Sequence, residues 1–176
     1  VPLQSSEETV LSDGPEGRVV ERLVKKYDSQ GRLTGQEKVR IEESKSSDGS
    51  TSTRATVYDR DLNGNFALRE RTTTVTSKED STTRAQTTVE RPNVNGNLGL
   101  EERKIAVTTG DEKKSLTDVT VFRKDQHGAF APAVREVTET TSDDGGKVVA
   151  NTSEFNSAST GKMELTGQKL SRTVKN

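Results

Sequence analysis

Glycine followed two positions later by an apolar residue recurs from one end of this chain to the other. It occurs at Gly31 with Leu33, Gly64 with Phe66, Gly96 with Leu98, Gly128 with Phe130 and Gly161 with Met163. The spacings are 33, 32, 32 and 33 residues, which is the mark of an internal repeat. A second set of turn residues falls about midway between these glycines: Asp48-Gly49, Lys78-Glu79-Asp80, Gly110-Asp111 and Asp143-Asp144-Gly145-Gly146. Two turns in each period leave room for two strands in each period.

The segments between turns do not suit helix. Runs such as Thr72-Thr73-Thr74-Val75-Thr76 are β-branched throughout, and such residues lose χ1 freedom in a helix but pack well on a pleated surface. The reading is all-β: five hairpin repeats of 32 or 33 residues, linked by short loops into an antiparallel meander. Residues 1–18 form an N-terminal arm holding one short strand from Glu8 to Ser12, and residues 19–176 form the hairpin domain.

Composition bears on how many layers such a sheet has. Only 27% of residues are hydrophobic and 3% aromatic, whereas a two-sheet sandwich needs an apolar residue at every second strand position. The expected form is therefore an extended, twisted and largely single-layered sheet, with a curled sheet or barrel as the alternative. Disorder is disfavoured, because 27 basic and 28 acidic residues are balanced and interspersed and the chain does not repel itself.

A two-residue loop at Asn63-Gly64 would place Asp61 opposite Phe66, Asp59 opposite Leu68 and Val57 opposite Glu70. The same register pairs Val24 with Glu37, Val89 with Glu102, and Val121 with Val134. Residues of one parity share a face, so Leu33, Phe66, Leu98, Phe130 and Met163 are expected to form one cross-strand ladder. Leu68, Leu100, Pro132 and Leu165 follow in the next. This is an apolar stripe that has to be covered: a second copy of the chain or another protein is the expected cover, with curling of the sheet, or the arm laid across it through Val10 and Leu11, as the alternatives.

Asp59-x-Asp61-x-Asn63-Gly64, followed after five residues by Glu70, satisfies the calcium-loop pattern whose oxygens wrap a hard cation. Asp59, Asp61, Asn63 and Glu70 are thus the candidate ligands of a calcium ion. The competing reading is a repeat feature, since Glu also stands six residues after Gly31 and Gly96, at Glu37 and Glu102, where the ligand set is incomplete. No other cofactor is expected. No catalytic residue is assigned: the one histidine, His127, stands in a turn beside Gly128, and acid–base catalysis needs a positioned partner in a pocket.

The segment Tyr27-Asp28-Ser29-Gln30-Gly31-Arg32-Leu33 resembles the YD repeat of bacterial cell-surface and toxin-shell proteins. The match covers these seven residues, and the resemblance implies copies that pair as β-hairpins.

A net charge of -1 with no clustered basic stripe argues against a nucleic-acid partner. No apolar run reaches the roughly 18 residues of a membrane helix, and no segment supplies the outer apolar band of a membrane barrel, so no membrane insertion is expected. The functional expectation is a non-catalytic structural or binding module of a secreted, periplasmic or surface protein. A calcium-dependent adhesion module and a carboxylate-using carbohydrate-active enzyme are the alternatives.

Overall fold

A computed structural model of the chain describes residues 3–125, 127–158 and 160–174. Eleven strands make up the structure: β1 (Gln4–Gly14), β2 (Gly17–Tyr27), β3 (Leu33–Lys45), β4 (Thr51–Arg60), β5 (Phe66–Glu79), β6 (Thr82–Pro92), β7 (Leu98–Gly110), β8 (Lys114–Lys124), β9 (Phe130–Ser142), β10 (Lys147–Ser157) and β11 (Met163–Val174). They form one antiparallel meander in strict sequence order. No helix occurs among the described residues. Only β1 and β11 have a single neighbour, so the sheet does not close into the barrel considered above.

The expected arm is part of the sheet. β1 runs over eleven residues rather than the short stretch from Glu8 to Ser12, and it pairs with β2 through Val10 opposite Val20 and Glu8 opposite Arg22. Its apolar pair Val10 and Leu11 supplies the β propensity, and the Gly14-Pro15-Glu16-Gly17 turn returns the chain directly into β2. An edge strand needs hydrogen bonds on one side only, which a polar segment can supply.

The chain divides into two compact units, Val1–Val75 with Thr88–Glu101, and Thr76–Thr87 with Glu102–Asn176. In the first, Val20 and Val24 of β2 are buried at 5% and 7% exposure on one face, and Thr56 of β4 is buried at 4% on the other. No other described residue of either unit is buried to that degree. A core this thin means that each strand has neighbours beside it and little above or below it. Long Lys and Arg stems lie over what apolar surface there is.

The turns differ from the expected two-residue loop by one residue, and the difference is systematic. Asp61 donates its N–H to the Asn65 carbonyl at 2.8 Å and Gly64 donates to the Asp61 carbonyl at 3.1 Å, which defines a three-residue loop of Leu62, Asn63 and Gly64. Asp28–Arg32, Asn93–Asn97, Asp125–Ala129 and Ala158–Lys162 close in the same way. The last loop residue is glycine each time, with φ between 76° and 88°, a left-handed conformation that costs an L side chain roughly 1–2 kcal/mol. Asp28, Asp61, Asn93 and Asp125 each hold their turn shut by accepting two backbone N–H groups through Oδ1.

The extra loop residue shifts the register, and a β-bulge restores it. Thr34, Ala133 and Thr166 are left without a partner in their ladders, so that Val24 does face Glu37 and Val121 does face Val134. The threonines also satisfy local backbone: Thr34 Oγ1 donates to the Lys26 carbonyl at 3.1 Å and Thr166 Oγ1 to the Glu154 carbonyl at 3.3 Å. Bulges of this kind bend a strand and increase its twist.

Candidate functional site

The apolar stripe does not form a continuous ladder. Leu33, Phe66 and Leu98 of the first unit stand on β3, β5 and β7, and Phe130 and Met163 of the second on β9 and β11, every second strand, so successive members within a unit are separated by roughly 9.5 Å, two inter-strand spacings. Leu68 and Leu100, on β5 and β7, are half-buried in the first unit. Leu33 and Leu165 are the open ones, at 48% and 54% exposure. Phe66 is covered instead by a cation: Lys38 Nζ stands 5.3 Å from its ring centroid and 5.5 Å from that of Tyr58. Phe130 is likewise capped by Lys124 at 6.0 Å.

The four calcium-loop residues have other partners. Asp59 accepts from Arg69 at 2.9 Å, Asp61 Oδ1 closes its own turn, and Glu70 accepts from both Nε and Nη2 of Arg91 at 2.9 and 2.8 Å. Asn63 is a loop residue whose N–H donates to Asp61. Among the described residues no three His, Cys, Asp or Glu side chains gather as a metal site. The Glu at six residues past the glycine belongs to an ion-pair pattern. Glu37 meets Lys26 at 3.5 Å and Arg69 at 2.9 Å, Glu70 meets Arg91, and Glu102 meets Arg123 at 2.9 Å.

Electrostatics follows these contacts. Burial pulls the Arg69 guanidinium down, but the hydrogen bond and charge of Glu37, and then of Asp59, outweigh it and raise the group above its ordinary range. The hydrogen bond and charge of Asp118, 2.6 Å away, raise Arg135 in the same sense. At the opposite ends of the strands, the side chain and N–H of Ser50 hold the Asp48 carboxyl low, and the N–H groups of Lys114 and Lys113 hold Asp111 low.

A recurrence absent from the sequence reading stands seven residues after the turn glycines: Lys38, Arg71, Arg103 and Arg135. Lys38 lies directly opposite Tyr58, Arg103 opposite Phe122, and Arg135 opposite Phe155. The Arg103 guanidinium is 4.7 Å from the Phe122 ring centroid and that of Arg135 is 5.9 Å from Phe155. Cation and ring therefore face each other across neighbouring strands, an arrangement worth about 0.5–1 kcal/mol where exposed. The signal was legible as a cation every 32 or 33 residues, but it appears only when charged positions are aligned as carefully as apolar ones.

Along β7 to β11 of the second unit, from Glu102 onward, alternation along the strands sorts the charges between two faces. The face of Arg135 carries Arg103, Lys114, Lys124, Arg135, Lys147 and Arg172 against Asp118 and Glu139. The other face carries Lys104, Arg123 and Lys169 against Glu102, Glu136, Glu154 and Glu164. Its centre is a row of threonines, Thr108, Thr117, Thr138 and Thr152, with Thr108 bonded to Thr117 and Thr138 to Thr152 at 3.0 Å. The Arg135 face also holds a depression of about 380 Å³ lined by Ile105, Val107, Thr109, Leu116, Asp118 and Thr120.

No protein family matches the chain, and no curated protein matches it. Among solved structures it is similar to a protein of unknown function from Bacteroides fragilis NCTC 9343, with a TM-score of 0.46 and 12% identity over 96% of this chain and 93% of that one.

Proposed function

We propose that this chain is a non-catalytic, repeat-built binding or structural module of a secreted, periplasmic or cell-surface protein, which meets its partner through its broad sheet faces. The observation that carries this reading is the near absence of interior: three side chains of the described residues are buried, both faces of each unit carry ion pairs, and one face of each carries ring–cation contacts. Strands of 10 to 14 residues then serve to display surface rather than to enclose a reaction. The acids are spread along the strands in pairs with Lys and Arg, which supports binding over the carboxylate chemistry of a glycoside hydrolase, where two acids must flank one bond.

A second copy of the chain and a different macromolecule are both partners of this kind. Sedimentation over a wide concentration range separates them. A dimer that becomes monomeric in the Leu33→Glu variant identifies a second copy, docked on the most open member of the stripe in the first unit. A parent that stays monomeric identifies a different partner. Turnover of an oligosaccharide by the purified protein would refute the non-catalytic reading.

A further inference from the structure

We propose that copies of this chain join edge to edge, β11 of one copy pairing with β1 of the next, a contact separate from the sheet faces of the reading above. The first observation is where apolar surface is left open. Of the eleven large aliphatic side chains exposed among the described residues, five stand on β1 and β11: Val10, Leu11, Leu165, Leu170 and Val174. Leu170 stands nine residues after its turn glycine, as Ile105 and Val137 do after theirs. Those two are half-buried between strands on both sides, whereas Leu170, on a strand with one neighbour, is 56% exposed. What it lacks is a second strand beside it.

The second observation is the backbone. Antiparallel strands bond through alternate residues. Tyr27 N–H donates to the Leu3 carbonyl at 3.0 Å, which turns the peptide groups of Gln4, Ser6, Glu8 and Val10 away from β2. On the other edge Ala158 N–H donates to the Lys162 carbonyl at 2.8 Å. Counting on through the bulge at Thr166, the groups left facing outward from β11 are those of Gln168, Leu170, Arg172 and Val174. An antiparallel register that sets Leu170 opposite Val10 also sets Arg172 opposite Glu8 and Val174 opposite Ser6. Outward groups then meet outward groups along the run, and an aliphatic pair and an ion pair fall side by side on one face.

The third is charge, which selects the partner. β1 carries Glu7, Glu8 and Asp13 and no cation, while β11 beyond its bulge carries Lys169 and Arg172 and no acid. Charge on an edge strand guards against pairing, because like charges across a ladder are destabilising. Two β1 strands would bring the acids of both copies together, and two β11 strands the cations, so each edge bars its own kind and admits the other. The groups needed are available. Lys169 and Arg172 have no ion-pair or hydrogen-bond partner among the described residues. Glu8 Oε2 takes Arg22, but its Oε1 accepts no hydrogen bond and has Arg18 at 3.8 Å. Because the joined edges differ, the contact is heterologous, and it builds a ring or an open chain of copies.

Sedimentation of the full chain over a wide concentration range tests this, with self-association of the parent expected as concentration rises. Glu8→Arg and Arg172→Glu each set like charges across the contact and should weaken association tenfold or more, while the two changes made together should restore it. Lys104→Gln, which removes a cation from a strand with neighbours on both sides, should change nothing. Circular dichroism establishes that each variant folds. Should Glu8→Arg fail to fold, Leu170→Pro reads the same loss from β11 alone, since proline there removes an N–H that faces outward. A parent that is monomeric at every concentration would overturn the proposal and leave standing the binding of a different macromolecule through the sheet faces. A folded double variant that stays dissociated, or an equal loss in Lys104→Gln, would also overturn it. Association that survives Arg172→Glu and Leu170→Pro but is lost in Leu33→Glu would move self-association to the sheet face and overturn the edge contact.

Discussion

Glu37 and Asp59 stand directly opposite one another on β3 and β4, two carboxylates in register, and Arg69 donates to both at 2.9 Å. Like charges placed directly across a ladder are destabilising, so the bridge is what permits the pairing. Lys26 adds a second cation to Glu37, whose side chain is 17% exposed.

Removing the bridge should therefore cost more than an ordinary surface pair. Arg69→Met leaves the two acids facing each other, one of them largely out of water. A loss of about 1–2 kcal/mol is expected, between the values for exposed and buried pairs. Denaturant titration at low and high salt checks it: the deficit should shrink as salt screens the repulsion, and a salt-independent deficit would instead mean lost packing.

The turn glycines give a graded pair of variants. Gly64 and Gly96 have φ of 88° and 79°, and each substitution by alanine should cost about 1–2 kcal/mol for the left-handed backbone. At Gly96 an added methyl meets open space, whereas at Gly64 it would come within 3.1 Å of Arg60 Nη2. Arg60 donates to the Gly64 carbonyl and, at 2.6 Å, to Gln36. Gly64→Ala is expected to lower the melting temperature more than Gly96→Ala, and equal shifts would show that Arg60 moves aside freely.

Most of the fold was legible in the sequence because turn chemistry is local. An aspartate or asparagine three residues before a glycine closes a turn with its own neighbours, so the period, the strands and the pairings of Val24 with Glu37 and Val121 with Val134 all follow from spacing. The bulges at Thr34, Ala133 and Thr166 were not legible. A one-residue offset is corrected wherever the strand can best absorb it, and no residue type announces the place. The stripe was misread as a ladder because a 32-residue period returns to the same position on every second strand, leaving one strand between. The Glu37, Glu70 and Glu102 series was visible, but a carboxylate waiting for a metal and one paired with Arg69, Arg91 or Arg123 look alike until the partner strand is in place.

Acid should weaken the hairpin ends through Asp48 and Asp111. Both carboxyls are held below their ordinary value of 3.8 in the folded protein, so the unfolded chain binds protons first. The stabilisation is present above that value and fades as pH falls through the lower folded one. Asn93 shows that an amide can take the same N–H bonds, so the Asp48→Asn, Asp111→Asn double variant should lose less stability than the parent between about pH 4 and pH 2. Parallel curves for the two proteins would rule out these turns as a source of the acid response.

Calcium at millimolar concentration is expected to leave the melting temperature unchanged. Binding would have to take Asp59 from Arg69, Glu70 from Arg91 and Asp61 from two backbone donors, with only part of the loss returned. A calorimetric scan with and without the ion is sufficient. An upward shift that disappears in Asp61→Ala would restore the loop as a calcium site.

Every strand has as its sheet neighbours the strands that adjoin it in the chain, and this has a genetic consequence. Recombination that joins Arg32 to Phe66 would excise two strands and one turn of each kind, yet leave Asp28 and Gly31 to close the same loop onto a strand that already runs in the right direction. Tandem duplication of the same stretch would lengthen the protein just as quietly. Such a gene drifts in length more readily than in the acid–glycine spacing of its turns, so relatives of this chain should differ first in their number of hairpins.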